Sequence, residues 1–509
     1  MYSFKNTTQT NGFDSNDLNN ARQNNYAWSI AQLDQYIYVG TGRNVAYNIL
    51  NSISPEIITP ISITPTVVNN SPEIWRYKRN DSLSWERVYS APDYLKISGI
   101  RFIISHKPLN GNNFLYAASY GENLKIFKSS NGVNWFPISD RILKGTSSRA
   151  MISHKGKLYI ATIDEKNPTS TPNLYSSIDP EFYPWEPMID NENPLYDKSK
   201  NPNGSISEMI VFNDKIYVST NNPDGVQVWR TNGSIPKLND WTLIVDNGFG
   251  DATNQYTLSM GIYKNYLYVS ATKRLPLAWV TPMGCDIIRI APNDNWQLVI
   301  GGKAIIPSSP SKGTRGNSLS GLNSGFSNPF NVYAWQIKEY HGKLLISTFD
   351  TSINMEVILE TLITNRTEIE NKIGTVTTNS LIKIYQSIVS QLNSIGYPFG
   401  FDLYESTDGI NFTPIFLNGL ASRYNYGGRT LFVDSSSILY IGTANPFEGC
   451  EVWKVRFKSE HTHCYSMRKN YRCLLSIQKE INDNLELLNN YIPTLLKFIP
   501  KKTDRKSVV

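Results

Sequence analysis

The chain is poor in charge: 18% of its residues are charged, and Lys+Arg exceed Asp+Glu by 49 to 43, a net +6. Part of that excess gathers at one end, on Lys497, Lys501, Lys502, Arg505 and Lys506. Elsewhere no basic stripe with interleaved aromatics runs along the sequence, so nucleic acid is not an expected partner. Cysteine is scarce as well: Cys285, Cys450, Cys464 and Cys473 are too few in 509 residues to form a disulfide framework. No run of eighteen apolar residues occurs, so no transmembrane helix is expected. The segment Met1 to Thr10 has no charged stretch followed by an apolar one, so no secretory signal is expected and the default compartment is the cytoplasm. Gly-x-Ser-x-Gly, His-Glu-x-x-His and phosphate-loop motifs are all missing, and no cofactor is indicated.

What is present is aromatic and repetitive. Aromatics reach 12%, with 30 Tyr and 11 Trp, which suits half-buried strands. A unit of the form Leu/Ile-Tyr-Val/Ile-x-Ser/Thr recurs at Ile37-Tyr38-Val39, Leu115-Tyr116-Ala117, Leu158-Tyr159-Ile160, Ile216-Tyr217-Val218, Leu267-Tyr268-Val269, Leu344-Leu345-Ile346 and Leu439-Tyr440-Ile441. Each copy reads as a buried second strand. An apolar strand and a polar turn precede it, a strand centred on an aromatic or apolar residue follows, and a fourth strand opens at Trp85, Trp135, Trp185, Trp241, Trp296 or Phe412. The second and third copies are spaced by roughly the 40–45 residues of one propeller blade. The expected fold is therefore all-β: a seven-bladed β-propeller over residues 1–458, with a helical-hairpin insertion in blade six and a C-terminal helical tail over 459–509. Blade seven lacks a fourth strand after Trp453, and the segment Tyr2 to Lys5 is expected to supply it, because an open ring would leave an unpaired edge.

Two turns between third and fourth strands, Ser129-Ser130-Asn131-Gly132-Val133-Asn134-Trp135 and Ser406-Thr407-Asp408-Gly409-Ile410-Asn411-Phe412, resemble the Asp-box of sialidase-like propellers, one residue shorter than that motif. The resemblance implies the fold over about residues 26–455 and little about chemistry, since the Asp-box is a structural turn. No Phe-Arg-Ile-Pro segment of the sialidase kind is present.

Propellers usually bind at one mouth of the central channel. Counting back from the second-strand anchor gives Trp28, Arg149, Ser207, Leu258 and Trp335, and matching the apolar strand in blades two and seven, whose first turns are longer, adds Arg101 and Arg429, one ring position per blade. Three arginines suit a carboxylate or phosphate, and two tryptophans suit a sugar or a cation. Opposing loops offer Glu122, Asp164, Glu165, Asp224, Asp350 and Glu448. The expected ligand site is Trp28, Arg101, Arg149, Trp335, Arg429, Asp224, Asp350 and Glu448; mutual ion pairing that seals the channel is the bland alternative. Asn24, Asn203, Asn254, Asn331 and Asn425 precede the ring positions and are expected in turns.

The first insertion, residues 43–72, carries Pro55, Pro60 and Pro65 and reads as a long loop. The second, 352–396, has apolar residues at helical spacing on either side of Gly374. It is expected to form an αα-hairpin leaning over the channel mouth. The tail repeats that spacing from Leu474 to Leu495 and could mediate oligomerisation. His461, His463, Cys464 and Cys473 are a weak metal-ligand set. Function is expected to be recognition of an anionic or glycan-like ligand, or a protein partner. A glycan-processing hydrolase or lyase of sialidase-like type, or a structural and assembly role, is the alternative.

Overall fold

The structure is a computed structural model that describes residues 2–79, 84–109, 111–138, 141–167, 171–457, 481 and 484–495. It is mostly β, built from antiparallel sheets in a propeller-type arrangement. Among the described residues the strands pair in seven sets of four. The first runs Asn24–Leu33, Tyr36–Arg43, Glu73–Lys78 and Trp85–Ser90 from the inside outward. The other inner strands are Ile97–His106, Ser147–His154, Ser205–Phe212, Asn254–Tyr263, Asn331–Tyr340 and Gly427–Val433. Each inner strand lies against the next, and the seventh lies against the first. The N-terminal strand Tyr2–Asn6 pairs antiparallel with Val452–Phe457 as the outer strand of the seventh sheet, so the chain's start closes its last sheet. The repeated tyrosines Tyr38, Tyr116, Tyr159, Tyr217, Tyr268 and Tyr440 are at most 2% exposed and pack between neighbouring sheets. Leu345 takes that place in the sixth.

Helices lie off the sheets: α1 Leu18–Gln23, α2 Val45–Ile53, α3 Leu277–Val280, α4 Ser352–Thr364, α5 Arg366–Ile373 and α6 Thr375–Ser394. The segment 43–72 is thus not all loop, because α2 occupies its first third. Val45, Ile49 and Ile53 recur at helical spacing, and the helix stops just short of Pro55, since a residue before proline avoids the helical region. The second insertion holds three helices rather than two arms. Its first arm breaks at Asn365, whose amide bonds both the N–H and the C=O of Ile58 (2.7 and 2.9 Å), tying the two insertions together. Ile481, Leu485 and Leu488 of the tail pack on the insertion, and Asn484 Nδ2 donates to Gln391 Oε1 at 2.8 Å. The histidine–cysteine set, Leu474, Ile477 and the basic end lie outside the described residues.

In four sheets one of the asparagines noted above stands at the head of the inner strand, as its first residue in three and two residues before it in the seventh, and its role is more than turn-forming. Asn24, Asn254, Asn331 and Asn425 each donate from Nδ2 to a glycine carbonyl (Gly12, Gly248, Gly325, Gly419; 2.8–3.1 Å) and to a carboxylate at the start of the third strand. Those carboxylates are Glu73, Asp286, Asp402 and Glu451, at 2.8, 2.8, 2.7 and 2.6 Å. Each glycine and the residue after it (Phe13, Phe249, Phe326 and Leu420) adopt positive φ, and glycine takes up the first of these two positions without steric cost. The same glycines and asparagines bond the backbones of Cys450, Val226, Cys285 and Phe401 of the preceding sheet, so every knot also fastens two sheets.

Candidate functional site

All seven inner strands carry a β-bulge at the same place. The pairing register skips one residue between Ala27 and Ser29, Ile100 and Phe102, Ser148 and Ala150, Ile206 and Glu208, Thr257 and Ser259, Ala334 and Gln336, and Gly428 and Thr430. The skipped residues are Trp28, Arg101, Arg149, Ser207, Leu258, Trp335 and Arg429. In a strand whose two faces both pack on neighbouring sheets, alternation leaves no side chain for the axis. A bulge releases one residue from that alternation and re-aims it.

The released side chains meet. Arg101 Nη1 donates to Glu165 Oε1 at 2.7 Å, while Arg149 holds both Glu165 oxygens through Nε (3.0 Å) and Nη2 (2.7 Å). The Arg101 guanidinium lies 4.9 Å from the Trp28 ring centre, and that of Arg429 lies 5.4 Å from Trp335. Tyr26 packs edge-on against both Trp28 and Trp335 and shares a hydroxyl hydrogen bond with Tyr426. Arg101, Glu165 and Arg149 keep side-chain exposures of 11, 13 and 17%, so solvent reaches a cluster that is otherwise enclosed.

The charges are unequal. Burial would raise the Glu165 carboxyl, but Arg101 and Arg149 outweigh it and hold it at about 2, so Glu165 is ionised. Burial also opposes the Arg149 charge, and contact with Glu165 more than restores it. Burial and the neighbouring Arg149 bring Arg101 down to about 10; burial and Arg101 bring Arg429 to about 9. Glu208, the residue after the fourth bulge, is pushed up to about 8 by burial, against the pull of Arg429, Arg149 and Arg101. Near neutral pH the cluster therefore holds three guanidinium ions, one carboxylate and one neutral carboxyl. The Nε groups of Arg101 and Arg429 are buried without a hydrogen-bond partner among the described residues.

The remaining expected residues lie elsewhere. Trp28 and Trp335 are 6 and 7% exposed, with the guanidiniums and Tyr26 against them, so neither offers a free face. Asp224 and Glu448 sit in exposed turns after the second strands of the fourth and seventh sheets; their N–H groups bond Asn222 and Asn445. Asp350 is 1% exposed at the root of the helical insertion, where it accepts bonds from Tyr397 Oη (2.6 Å) and the Ser352 N–H (2.7 Å). Glu208 did not stand out in the sequence. It is one residue past Ser207, where the bulge shifts the register, and it feels Arg429, Arg149 and Arg101. Tyr26, Trp28, Trp335 and Tyr426 form one hydrophobic cluster with α4 and α6 residues such as Ile353, Met355, Leu381 and Ile388, so the insertion covers the aromatic end of the axis. Among the described residues no group of three or more His, Cys, Asp or Glu is arranged to hold a metal ion, and no helix is long and apolar enough to cross a membrane.

No family model matches the chain, and no curated protein matches it. Solved structures overlap it in part. The α-L-arabinanase of Cellvibrio cellulosa is 14% identical with a TM-score of 0.28, over 49% of this chain and 88% of that one. A GH43 β-xylosidase/α-arabinofuranosidase from a compost microbial metagenome is 13% identical with a TM-score of 0.26, over 48% and 84%. A prolyl endopeptidase is 8% identical with a TM-score of 0.36, over 85% of this chain and 47% of that one. These values assign neither a family nor an activity, and the resemblance to sialidase-like propellers stays with the two turns that carry it.

Proposed function

We propose that the seven sheets are the blades of a closed seven-bladed β-propeller, and that the arginine cluster on its axis binds a carboxylate-bearing, glycan-type ligand. The observation behind this is the imbalance of charge: three guanidiniums face one ionised carboxylate, and Arg429 has no ion-pair partner among the described residues. A structural ion-pair network would be balanced, because an uncompensated buried charge is costly. An incoming carboxylate would complete the balance, and guanidinium forks match its geometry. Trp28 and Trp335 back the arginines rather than stacking on a sugar. With the insertion over the aromatic end, the ligand enters from the opposite mouth, toward which Lys338 lies exposed on the sixth inner strand. Asp224 and Glu448 belong to the rim.

Calorimetric titration with acidic monosaccharides and their neutral counterparts tests this. Wild type should bind the acids and not the neutral sugars, and Arg429→Met should lose that binding. Equal affinity in the two proteins would remove Arg429 from the site.

A second possibility, glycan hydrolysis or elimination of the sialidase-like kind, has one observation in its favour. Glu165 and Glu208 are driven apart, one ionised and one neutral at pH 7, as in glycosidases that work with two carboxylates, whereas sialidases use a Tyr nucleophile. Fluorogenic acidic glycosides would separate the two. Turnover lost in both Glu165→Gln and Glu208→Gln supports catalysis; binding without turnover supports recognition alone.

A further inference from the structure

The polar knots at the heads of the sheets differ in one respect. In the fifth sheet Lys273 Nζ bridges Asp251 (3.0 Å) and Asp286 (2.7 Å), and Arg315 Nη2 adds a bond to Asp286 at 2.9 Å. In the first, Arg87 bonds Glu73 at 2.8 Å and lies 3.5 Å from Asp14, and Arg43 donates to Asn24 Oδ1 at 2.8 Å. Each knot thus holds two acids and two bases. Lys273 and Arg43 occupy the same place: each is the cross-strand partner of the knot asparagine, Asn254 or Asn24. In the sixth sheet the partner of Asn331 is Asp350. Asp402 stands where Asp286 and Glu73 stand. Both aspartates are at most 2% exposed, and among the described residues no Lys, Arg or His forms an ion pair with either. Two adjoining buried carboxylates cannot both keep their charge without compensation.

Two oxygens beside them are fully buried: Asn331 Oδ1, which has no hydrogen-bond partner among the described residues, and Ser352 Oγ, whose hydroxyl favours the charged form of Asp350. The Asn331 amide nitrogen is bonded to Asp402, and the Ser352 N–H to Asp350. In the first sheet the oxygen equivalent to Asn331 Oδ1 receives the cation, Arg43; in the fifth, Asn254 Oδ1 has no hydrogen-bond partner among the described residues, and Lys273 reaches the two aspartates instead. We infer that a divalent metal ion binds between Asp350 and Asp402, in the place that Arg43 and Lys273 fill in the first and fifth sheets. Two carboxylates, an amide oxygen and a hydroxyl form an all-oxygen set suited to a hard ion such as Ca2+ or Mg2+, and two positive charges would match the balance of the first and fifth knots. The ion would join both ends of the helical insertion, since Asp350 immediately precedes it and Asp402 closes it. Loading would thereby fix α4 to α6 over the aromatic end of the axis.

The test uses the full chain, freed of metal with EDTA and titrated separately with CaCl2 and MgCl2 by calorimetry and thermal melting. The expected result is one ion per chain and a saturable rise in melting temperature for at least one of the two. Asp350→Asn/Asp402→Asn should abolish both effects. Asp350→Lys, which installs the residue of the fifth sheet, should also abolish them. If the double variant does not fold, wild-type stoichiometry and Asp350→Lys still decide. Absence of any saturable response to Ca2+ or Mg2+ in wild type overturns the inference. So does binding that persists in either variant. A melting temperature that follows pH but neither metal would likewise overturn it, showing that the pair shares a proton instead.

Discussion

The chain buries arginine and carboxylate in two kinds of place, and they are built differently. At the heads of the first and fifth sheets every charged group has an opposite charge or a hydrogen-bond partner: Arg43 spends its donors on Asn20, Asn24 and Asn69, and Lys273 sits between two aspartates. On the axis, Arg101 and Arg149 share one glutamate, and Arg429 faces a tryptophan. The heads hold neighbouring sheets together. The axis keeps an excess of positive charge that no fold requirement explains, and for that reason we place ligand recognition there.

That contrast can be broken from either side. Lys273→Met should be the most damaging change, leaving Asp251 and Asp286 with Arg315 alone; the expected loss is about 3–5 kcal/mol, read from denaturant midpoints. A loss below about 1 kcal/mol would mean that the knots do not hold the ring. Arg429→Met should do the reverse: stability within about 1 kcal/mol of wild type, because a half-buried charge and its buried, unpaired Nε are removed together, but an acidic ligand weakened by about 2–5 kcal/mol in titration.

Glu208→Gln should act on pH dependence. With its pKa raised to about 8, Glu208 holds its proton more tightly in the folded chain than in the unfolded one. Its contribution to stability is therefore intact at acid pH and is lost as pH rises from the usual carboxylate range to about 8. The difference in stability between Glu208→Gln and wild type should grow in the variant's favour across that window and level off above it, as followed by melts at stepped pH. A constant difference would show that Glu208 is not held neutral. The smallest effects belong to Asp224→Ala and Glu448→Ala, exposed residues whose loss should change stability by less than about 0.5 kcal/mol, with only a slight change in ligand association rate.

Much of this was legible in the sequence for a simple reason. Repetition puts equivalent residues at equivalent places, so a fixed step back from the second-strand anchor reached Trp28, Arg149 and Trp335, and matching the apolar inner strands reached Arg101 and Arg429. The need to close an edge pointed to Tyr2 to Lys5. What stayed hidden depends on local backbone geometry and on packing across sheets. Glu208 follows a bulge, and a period-two reading sends it to the wrong face. The asparagines looked like turn residues because their carboxylate partners, such as Glu73 for Asn24, lie on another strand. Trp28 and Trp335 resembled sugar platforms, since nothing in the sequence tells that Arg101 and Arg429 lie against them. The helix at Val45–Ile53 was obscured by the three prolines that follow it.

The most direct measurement is a crystal structure of the chain with a bound acidic monosaccharide at neutral pH. The account predicts the ligand carboxylate on the propeller axis, within about 2.7–3.0 Å of the Arg429 guanidinium and adjoining Arg101 or Arg149. A ligand seated elsewhere, or one whose carboxylate points into solvent while Arg429 stays against Trp335 alone, would contradict it.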